Sequence, residues 1–475
     1  MFVNVWRRAP MVAVWSLLSL FAATAPAQAA TLCVTPASTP GCYTQIAAAV
    51  TAASNGDIIT IAAGTYNESD IALTKSLSFL GAGTASTIVD GASTFAAGRS
   101  IFTFPDPSLT VYFSQMTLQR AYRAIDLSGP CANTVILERV RLTGNGPGSG
   151  AAIFTSCSNL NVLSSTLDNN TATTADHAGC DWGGGGIGGA IASLCGGSST
   201  IIRNSTISNN RASWFGGAIA VNDGQLLIEN STVSGNSAQS TDSSNQVANW
   251  GGGGALWVSG AFPQVAVRFS TLANNAAPNG VGGVVAGGRG DPNFPSFVTF
   301  EANIFSGNSA GFTTAVLTSR SGPTVSTANC GHGADNGVES RGYNVLTDAS
   351  CPFAATGDIS NAMAQLGALG NNGGLTSTHL PGPSSAALNR AAGCGASTAA
   401  PNLVALMSQS QVATTDQRGI ARPQGGVCDA GAVELRAGVE DVLPPVPTLA
   451  QWGILLLALS LAVVAMRNRW LRRFD

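Results

Sequence analysis

The stretch TIIRNSTISNN at 200–210 decides the fold, because it recurs along the chain. It returns as LLIENSTVSGN at 226–236, VAVRFSTLANN at 265–275 and VTFEANIFSGN at 298–308. Upstream it reads NVLSSTLDNN at 161–170, with a degenerate copy, VILERVRLTGN, at 135–145. A second short motif lies between copies: GAAI at 150–153, GGAI at 188–191 and 216–219, GGAL at 253–256 and GGVV at 282–285. Self-similarity at this period is the mark of a solenoid.

Aligned on their last Asn, the copies place Asn145, Asn170, Asn210, Asn236, Asn275 and Asn308 at spacings of 25, 40, 26, 39 and 33 residues. A coil of a right-handed parallel β-helix needs about three short strands and three bends. The shorter spacings fit one such coil. The longer ones require inserted loops, which the sequence places at 171–186 and 238–250. Within each copy polar and apolar residues alternate, so Leu167, Ile207, Val233, Leu272 and Phe305 are expected to point inward and stack. The NN or GN pair that follows should turn the chain, since Asn and Gly tolerate left-handed backbone. Its Asn side chains can hydrogen-bond in a ladder from coil to coil. The Gly-rich motif reads as another bend before a buried strand.

Composition agrees. The chain has 475 residues, 57 of them Gly, with 45% hydrophobic and only 10% charged residues. Mean hydropathy is +0.22, which argues against disorder. Of 22 basic and 25 acidic residues, Arg7, Arg8, Arg467, Arg469, Arg472, Arg473 and Asp475 lie near the termini. Without these seven the body carries a net charge of about −8. With Lys75 as its only lysine, it lacks the basic footprint of a nucleic-acid binder.

Both ends carry membrane signals. Arg7 and Arg8 precede an apolar stretch from Met11 to Ala23, and Ala27-Gln28-Ala29 supplies a small-x-small cleavage pattern. A signal peptide over 1–29 is expected, with the mature chain starting at Ala30 or Thr31. At the other end, Leu449 to Met466 is mostly apolar and about 27 Å long as a helix. It is flanked by Trp452 and Trp470 and followed by four arginines, which predicts a transmembrane helix with a cytoplasmic basic end over 449–475. Pro444, Pro445 and Pro447 make 437–448 a stiff spacer.

The tail resembles the IPTL-type C-terminal sorting signals of bacteria with an outer membrane. The matching residues are Val446, Pro447, Thr448 and Leu449, then Trp452 and Gly453, the apolar helix and the Arg cluster. Val446 departs from the usual Ile. The resemblance implies a sorting or processing enzyme as partner at the tail. It also implies export through the inner membrane, a membrane-anchored intermediate, and a cell-surface or extracellular destination.

Three further resemblances concern the body. YTQIAAAVTAA at 43–53 reads as a short capping helix; with GDIITIAAGTYNES and LTKSLSFLGAG it resembles the opening of pectin-lyase-like β-helix proteins. The GGAI and NSTxSxN pattern resembles repeats of bacterial surface β-helix proteins, polymorphic outer-membrane proteins among them. Residues 366–436 carry LGNNGGLTSTHLPGPSSAALNRA, TTDQRGIARP and CDAGAVEL, which resemble the choice-of-anchor Q domain. That module is expected to form the C-terminal end of the solenoid whose coils occupy 30–365. Asp416, Arg418, Arg422 and Glu434 would then be structural, as a buried ion-pair network.

The ten cysteines form no CxxC pair, and with three histidines a zinc site is not expected. An even count in an exported chain suggests disulfides. Neighbour pairing gives Cys33–Cys42, Cys131–Cys157, Cys180–Cys195, Cys330–Cys351 and Cys394–Cys428.

Catalytic chemistry finds little support. The resemblance to pectin-lyase-like folds brings in polysaccharide lyases and glycoside hydrolases, and hydrolases need two carboxylates. Asp168, Asp223, Glu229, Asp242 and Glu301 are available, but Glu229 and Glu301 share a column with Arg203 and Arg268, which reads as outer-face pairing. Asp176, His177 and Asp181 fall in a Cys-bearing loop. The Gly-rich runs lack the GK[ST] of a phosphate loop, and Arg289-Gly290-Asp291 reads as a chance tripeptide. Trp182, Trp214, Trp250 and Trp257 border the bends, either as a sugar-stacking strip or as fillers of the taper. The sequence therefore predicts an all-β, surface-displayed parallel β-helix with a structural or adhesive role, a glycan or host-surface ligand, no enzymatic activity, no cofactor and no metal. The rival is a polysaccharide-active enzyme on the same fold.

Overall fold

Alternation at the strand period makes every copy of the repeat fold alike. A computed structural model describes residues 29–92, 98–174, 186–194, 196–239, 252–260, 263–278, 284–286, 297–310, 329–332, 337–351, 353–392, 394 and 414–436. Residues 1–28 of the expected signal peptide, the spacer with the sorting motif and the expected transmembrane helix lie outside these residues. Among the described residues no helix is long and apolar enough to cross a membrane.

The strands stack into long parallel sheets, the arrangement typical of a right-handed β-helix. A first, 11-stranded sheet runs from Thr31–Val34 to Gly337–Gly342. A second, 10-stranded sheet runs from Gly64–Tyr66 to Val345–Leu346, and a third, 9-stranded sheet from Ile71–Ala72 to Cys330–His332. Leu142, Leu167, Ile207, Val233, Leu272 and Phe305 follow one another in register in the second sheet, all buried in the core.

A fourth sheet corrects the three-strand reading of a coil. Its five two-residue strands run from Thr171–Ala172 to Ser309–Ala310. Its sequence signal is the Ala two places after the NN or GN pair in the last five copies: Ala172, Ala212, Ala238, Ala277 and Ala310. The first four of these are buried. The expected insertions at 171–186 and 238–250 therefore begin with ordinary coil residues; 175–185 and 240–251 are outside the described residues.

The turn between the second and fourth sheets divides its labour. Its first residue takes left-handed backbone: Asn169, Asn209 and Asn274 at φ 57°, 55° and 56°, and Gly144, Gly235 and Gly307 at φ 63°, 68° and 66°. Its second residue is the buried ladder Asn. Asn210 Nδ2 donates to Asn236 Oδ1 at 2.9 Å, and Asn236 Nδ2 to Asn275 Oδ1 at 2.9 Å. The same oxygens accept backbone N–H groups, from Asn210 at 2.9 Å and Asn236 at 3.1 Å. The ladder runs from Asn145 to Asn308 and on to Asn329, which the repeat alignment did not include.

The turn between the first and second sheets holds a parallel row that sequence reading missed. Ser165, Ser205, Ser231 and Ser270 accept N–H groups from Val140, Ser165, Ser205 and Ser231. Asn303 and Asn344 continue the row. The residue before each Ser, including Asn204 at φ 51° and Asn230 at φ 45°, is left-handed. NST thus spells left-handed turn, ladder serine and outward threonine.

The expected cap is a helix over Ile46–Ala52. Glu68 accepts the N–H groups of Ile46 and Ala47 at 2.7 and 2.9 Å, while Lys75 Nζ donates to the carbonyls of Val50, Thr51 and Ala53. Groups from distant residues satisfy both helix ends, with the charge signs the dipole favours. At the far end Phe353 closes over Phe300 and Phe305, with ring centroids 5.5 and 5.9 Å away. Cys33–Cys42, Cys131–Cys157 and Cys394–Cys428 are bonded. Cys351 is also in a disulfide. The side chains of Cys180, Cys195 and Cys330 are outside the described residues.

The C-terminal module does not extend the solenoid, contrary to expectation. It folds back along the outer face of the second sheet. Thr376 Oγ1 donates to the Asn204 carbonyl at 2.9 Å, Thr232 Oγ1 to Gln417 Oε1 at 2.7 Å, and the Ala432 N–H to Thr271 Oγ1 at 3.1 Å. The reason is geometric. Thr206, Thr232 and Thr271 present a row of hydroxyls in register, one per coil, and irregular chain can pair with such a row only by lying along it. The Gly431 N–H donates to the Ala302 carbonyl at 2.8 Å. A Cβ on Gly431 would come within 2.5 Å of Ile304 Cδ1, so the approach needs glycine.

His379 gives this seam a pH dependence. It is buried between Ser234 Oγ, 2.8 Å from Nε2, and the Gly367 carbonyl, 2.7 Å from Nδ1. Burial pushes its pKa down, against the hydrogen bond to Gly367. A His depressed on folding gives stability that is complete above its unfolded pKa of about 6.5 and is lost as pH falls from there toward the folded value. Hydrogen exchange at residues 376–379 should therefore be faster at pH 5 than at pH 7.5 after correction for the intrinsic rate. Equal protection at both values would contradict this.

Candidate functional site

The first strands of successive coils place polar side chains at one position. Thr134, Asn159, Ser199, Gln225 and Gln264 follow one another in register along the first sheet. Beside them, where the chain enters the sheet from the third, opens a groove of about 580 Å³. Asn161 and Ile201 contribute from two residues further along, and Ser198, Asp223 and Gly224 from the preceding turns. Gln225 Nε2 donates to Gln264 Oε1 at 3.2 Å and Asn159 Nδ2 to Thr134 Oγ1 at 3.4 Å. Amides and hydroxyls thus dominate the groove, with one carboxylate among its described lining residues. Asp223 takes left-handed backbone at φ 54° and is half-buried.

The other candidate carboxylates lie elsewhere and are paired. Glu229 stands between two arginines: Arg203 Nε is 2.8 Å from Oε2 and Arg268 Nη1 is 3.3 Å from Oε1. Arg268 Nε then reaches Glu301 at 2.8 Å. This is the expected charged column, in register at the last position of the first-sheet strands, but it is covered rather than open: Glu229 is 6% and Arg268 4% exposed. Asp168 is held by Arg141 at 3.0 and 2.6 Å in a two-pronged pair. Asp242, Asp176, His177, Asp181 and the Arg289–Asp291 tripeptide lie outside the described residues. Among the described residues no three His, Cys, Asp or Glu side chains gather as a metal site would require.

Trp214 and Trp257 form no sugar-stacking strip. They are 7% and 4% exposed and sandwich Phe215, at centroid distances of 4.4 and 4.9 Å. With Phe154 they cover the outer side of the third sheet. Trp182 and Trp250 lie outside the described residues.

The four charged residues of the C-terminal module are brought together. Arg418 Nε meets Asp416 Oδ2 at 2.9 Å and Arg422 Nη1 meets Glu434 Oε2 at 3.0 Å, with Asp416, Arg422 and Glu434 buried. Arg422 also donates to the carbonyls of Asp429 and Gly431 and lies 5.0 Å from the centroid of the Phe269 ring, on the solenoid. Burial pushes the Asp429 and Glu434 carboxyls up, against the N–H groups and the Arg422 charge that hold them down. Sequence reading missed Asp429 and Gln417. The amide of Gln417 donates to Thr206 Oγ1 at 3.0 Å and Thr376 Oγ1 at 2.9 Å, so it ties module to solenoid.

Comparison with known proteins adds two findings. Residues 444–473 match the IPTL-CTERM motif, which implies processing or sorting at the C-terminus and export to the cell surface. The fold is similar to that of the pectate lyase Pel9A, at 15% identity and a TM-score of 0.51, over 85% of this chain and 96% of that one. The pectin methylesterase PemA from Erwinia chrysanthemi aligns at 12% identity and a TM-score of 0.34, over 70% of this chain and 93% of that one. At these identities the lyase likeness shows a pectin-lyase-like parallel β-helix and nothing of activity. No curated protein matches this chain in sequence.

Proposed function

We propose that the protein is a surface-displayed scaffold whose lateral groove binds neutral glycan without turning it over. The observation that carries this reading is the groove's chemistry: a register-aligned row of Thr, Asn, Ser and Gln, able to donate to and accept from sugar hydroxyls. Its partners are that glycan on one side and a sorting enzyme, reading Val446 to Leu449 with Trp452 and Gly453, on the other. In this reading a signal peptide starts export, the apolar helix at 449–466 holds the chain transiently, and the choice-of-anchor-Q-like module at 366–436 couples the solenoid to its anchor. The repeats then serve as in the polymorphic outer-membrane proteins they resemble, as a display surface.

The hydrolase rival needs a second carboxylate opposite Asp223, and the other described candidates are committed to arginines away from the groove. Screening neutral oligosaccharides against the purified protein tests the binding. Asn161→Ala with Gln225→Ala should weaken the best ligand about tenfold or more, the loss of two hydrogen-bonding side chains at roughly 1 kcal/mol each. Unchanged affinity in that variant would move the site elsewhere. For the tail, intact mass of the surface form should show an end near Thr448 in the wild type, and a retained Asp475 in Pro447→Ala with Thr448→Ala. Asp475 present in both would make the tail a plain anchor.

A further inference from the structure

Asp57 follows the capping helix and is 6% exposed. Its Oδ1 accepts the backbone N–H of Ala30 at 2.8 Å and its Oδ2 that of Ser54 at 2.7 Å. Neither donor is charged in an unbroken chain. Among the described residues no Lys, Arg or His side chain pairs with Asp57, and the chain's only lysine, Lys75, is committed to the carbonyls at the end of the helix. A buried carboxylate without a counter-charge is costly. The Ala30 nitrogen is also fixed in place. The Ile58 N–H donates to the Ala30 carbonyl at 2.9 Å, and the next residue, Thr31, pairs with Ile58 at the edge of the first sheet.

Ala30 is also the first residue after the small-x-small pattern Ala27-Gln28-Ala29. We propose that the leader is removed between Ala29 and Ala30, and that the ammonium created at Ala30 is the counter-charge of Asp57. The step is a hydrolysis by a signal peptidase. One water is consumed, the Ala29–Ala30 C–N bond breaks, Ala29 leaves as a carboxylate with the leader, and the Ala30 nitrogen takes up protons to become an ammonium. A cut one residue later, before Thr31, would discard that nitrogen and leave Oδ1 without its donor. Removal of the leader thus replaces an uncharged donor to the Asp57 carboxylate by a charged one, so that an ion pair holds the first strand to the second. The edge of the solenoid, already hydrogen-bonded in the unbroken chain, gains its ion pair only in the mature one.

Intact mass and N-terminal sequence of the exported protein test the cut, and an unfolding cycle tests the pair. Wild type and Asp57→Asn are each compared with a free and an acetylated α-amine, since acetylation keeps an N–H donor and removes the charge. The mature chain should begin at Ala30. Acetylation should lower the folding equilibrium constant about fivefold to tenfold with Asp57 and leave it unchanged with Asn, a range that allows for the solvent exposure of Ala30. If Asp57→Asn does not fold, a chain made to begin at Ala29 replaces it, and acetylating that chain should have no effect. A mature chain starting at Thr31 overturns the proposal. A start at Ala30 with no effect of acetylation in the wild type overturns the ion pair.

Discussion

Asn236→Ala should destabilise the centre of the solenoid by about 3 kcal/mol or more, whereas Asn209→Gly, a near neighbour in the same turn column, should be nearly silent. Asn236 serves four groups. Its Oδ1 accepts from both the backbone and the side chain of Asn210, and its Nδ2 donates to Asn275 Oδ1 and the Ile207 carbonyl. All lie in the interior, so truncation strips buried polar groups of partners with no water to replace them. Asn209 is different. It is exposed and its task is to hold φ near 55°, a position that Gly235 and Gly307 fill in other coils. In a solenoid each coil touches chiefly its neighbours, so the damage should spread outward from the broken rung. Hydrogen exchange across 200–275 should rise in Asn236→Ala and stay low in Asn209→Gly. Equal effects of the two substitutions would show that the ladder does not hold the coils together.

Arg422→Met should release the C-terminal module, at a cost of about 3–5 kcal/mol. It takes the ion-pair partner from Glu434 and the nearby positive charge from Asp429, two carboxyls that burial already pushes up, and removes the contact with Phe269. Burying both charges costs desolvation that their attraction must offset, so removing both partners should cost less than removing one. Arg422→Met combined with Glu434→Gln should therefore be less damaging than Arg422→Met alone. Limited proteolysis reads both. Cleavage within 415–434 should be fastest in Arg422→Met, slower in the double variant and slowest in the wild type, while the Asn ladder stays protected in all three. Losses that simply add would argue against coupling.

Much of this was legible in the residues because the repeat states its own geometry. The Asn column, the inward Leu167-to-Phe305 row and the Arg–Glu column all follow from aligning one motif with itself. The fourth sheet was missed because two residues are too few to show alternation, although the recurring Ala after NN or GN encodes it. The serine ladder was missed because Ser at 165, 205, 231 and 270 looks like any strand polar residue until the left-handed residue before it is known. The course of the C-terminal module was not readable at all. DQRGIARP and CDAGAVE have no period, and their docking depends on a hydroxyl row that arises only when coils stack. The groove was hidden for a similar reason: Thr134, Asn159, Ser199, Gln225 and Gln264 become neighbours through register, across spacings set by insertions.

The display face follows from what is covered. The module occupies the second sheet over the coils from Asn204 to Ala302, and the Phe154–Trp257 cluster lines the outer side of the third. Among the described residues that leaves the polar groove on the first sheet as the face proposed to meet a hydroxyl-rich ligand. The most direct measurement is calorimetric binding of the best neutral oligosaccharide, followed by mass analysis of the sugar after prolonged incubation at the same concentrations. The account predicts saturable binding that the Asn161→Ala, Gln225→Ala variant loses, with the sugar recovered intact. A shortened or unsaturated product that disappears with Asp223→Asn would contradict it and make the groove an active site.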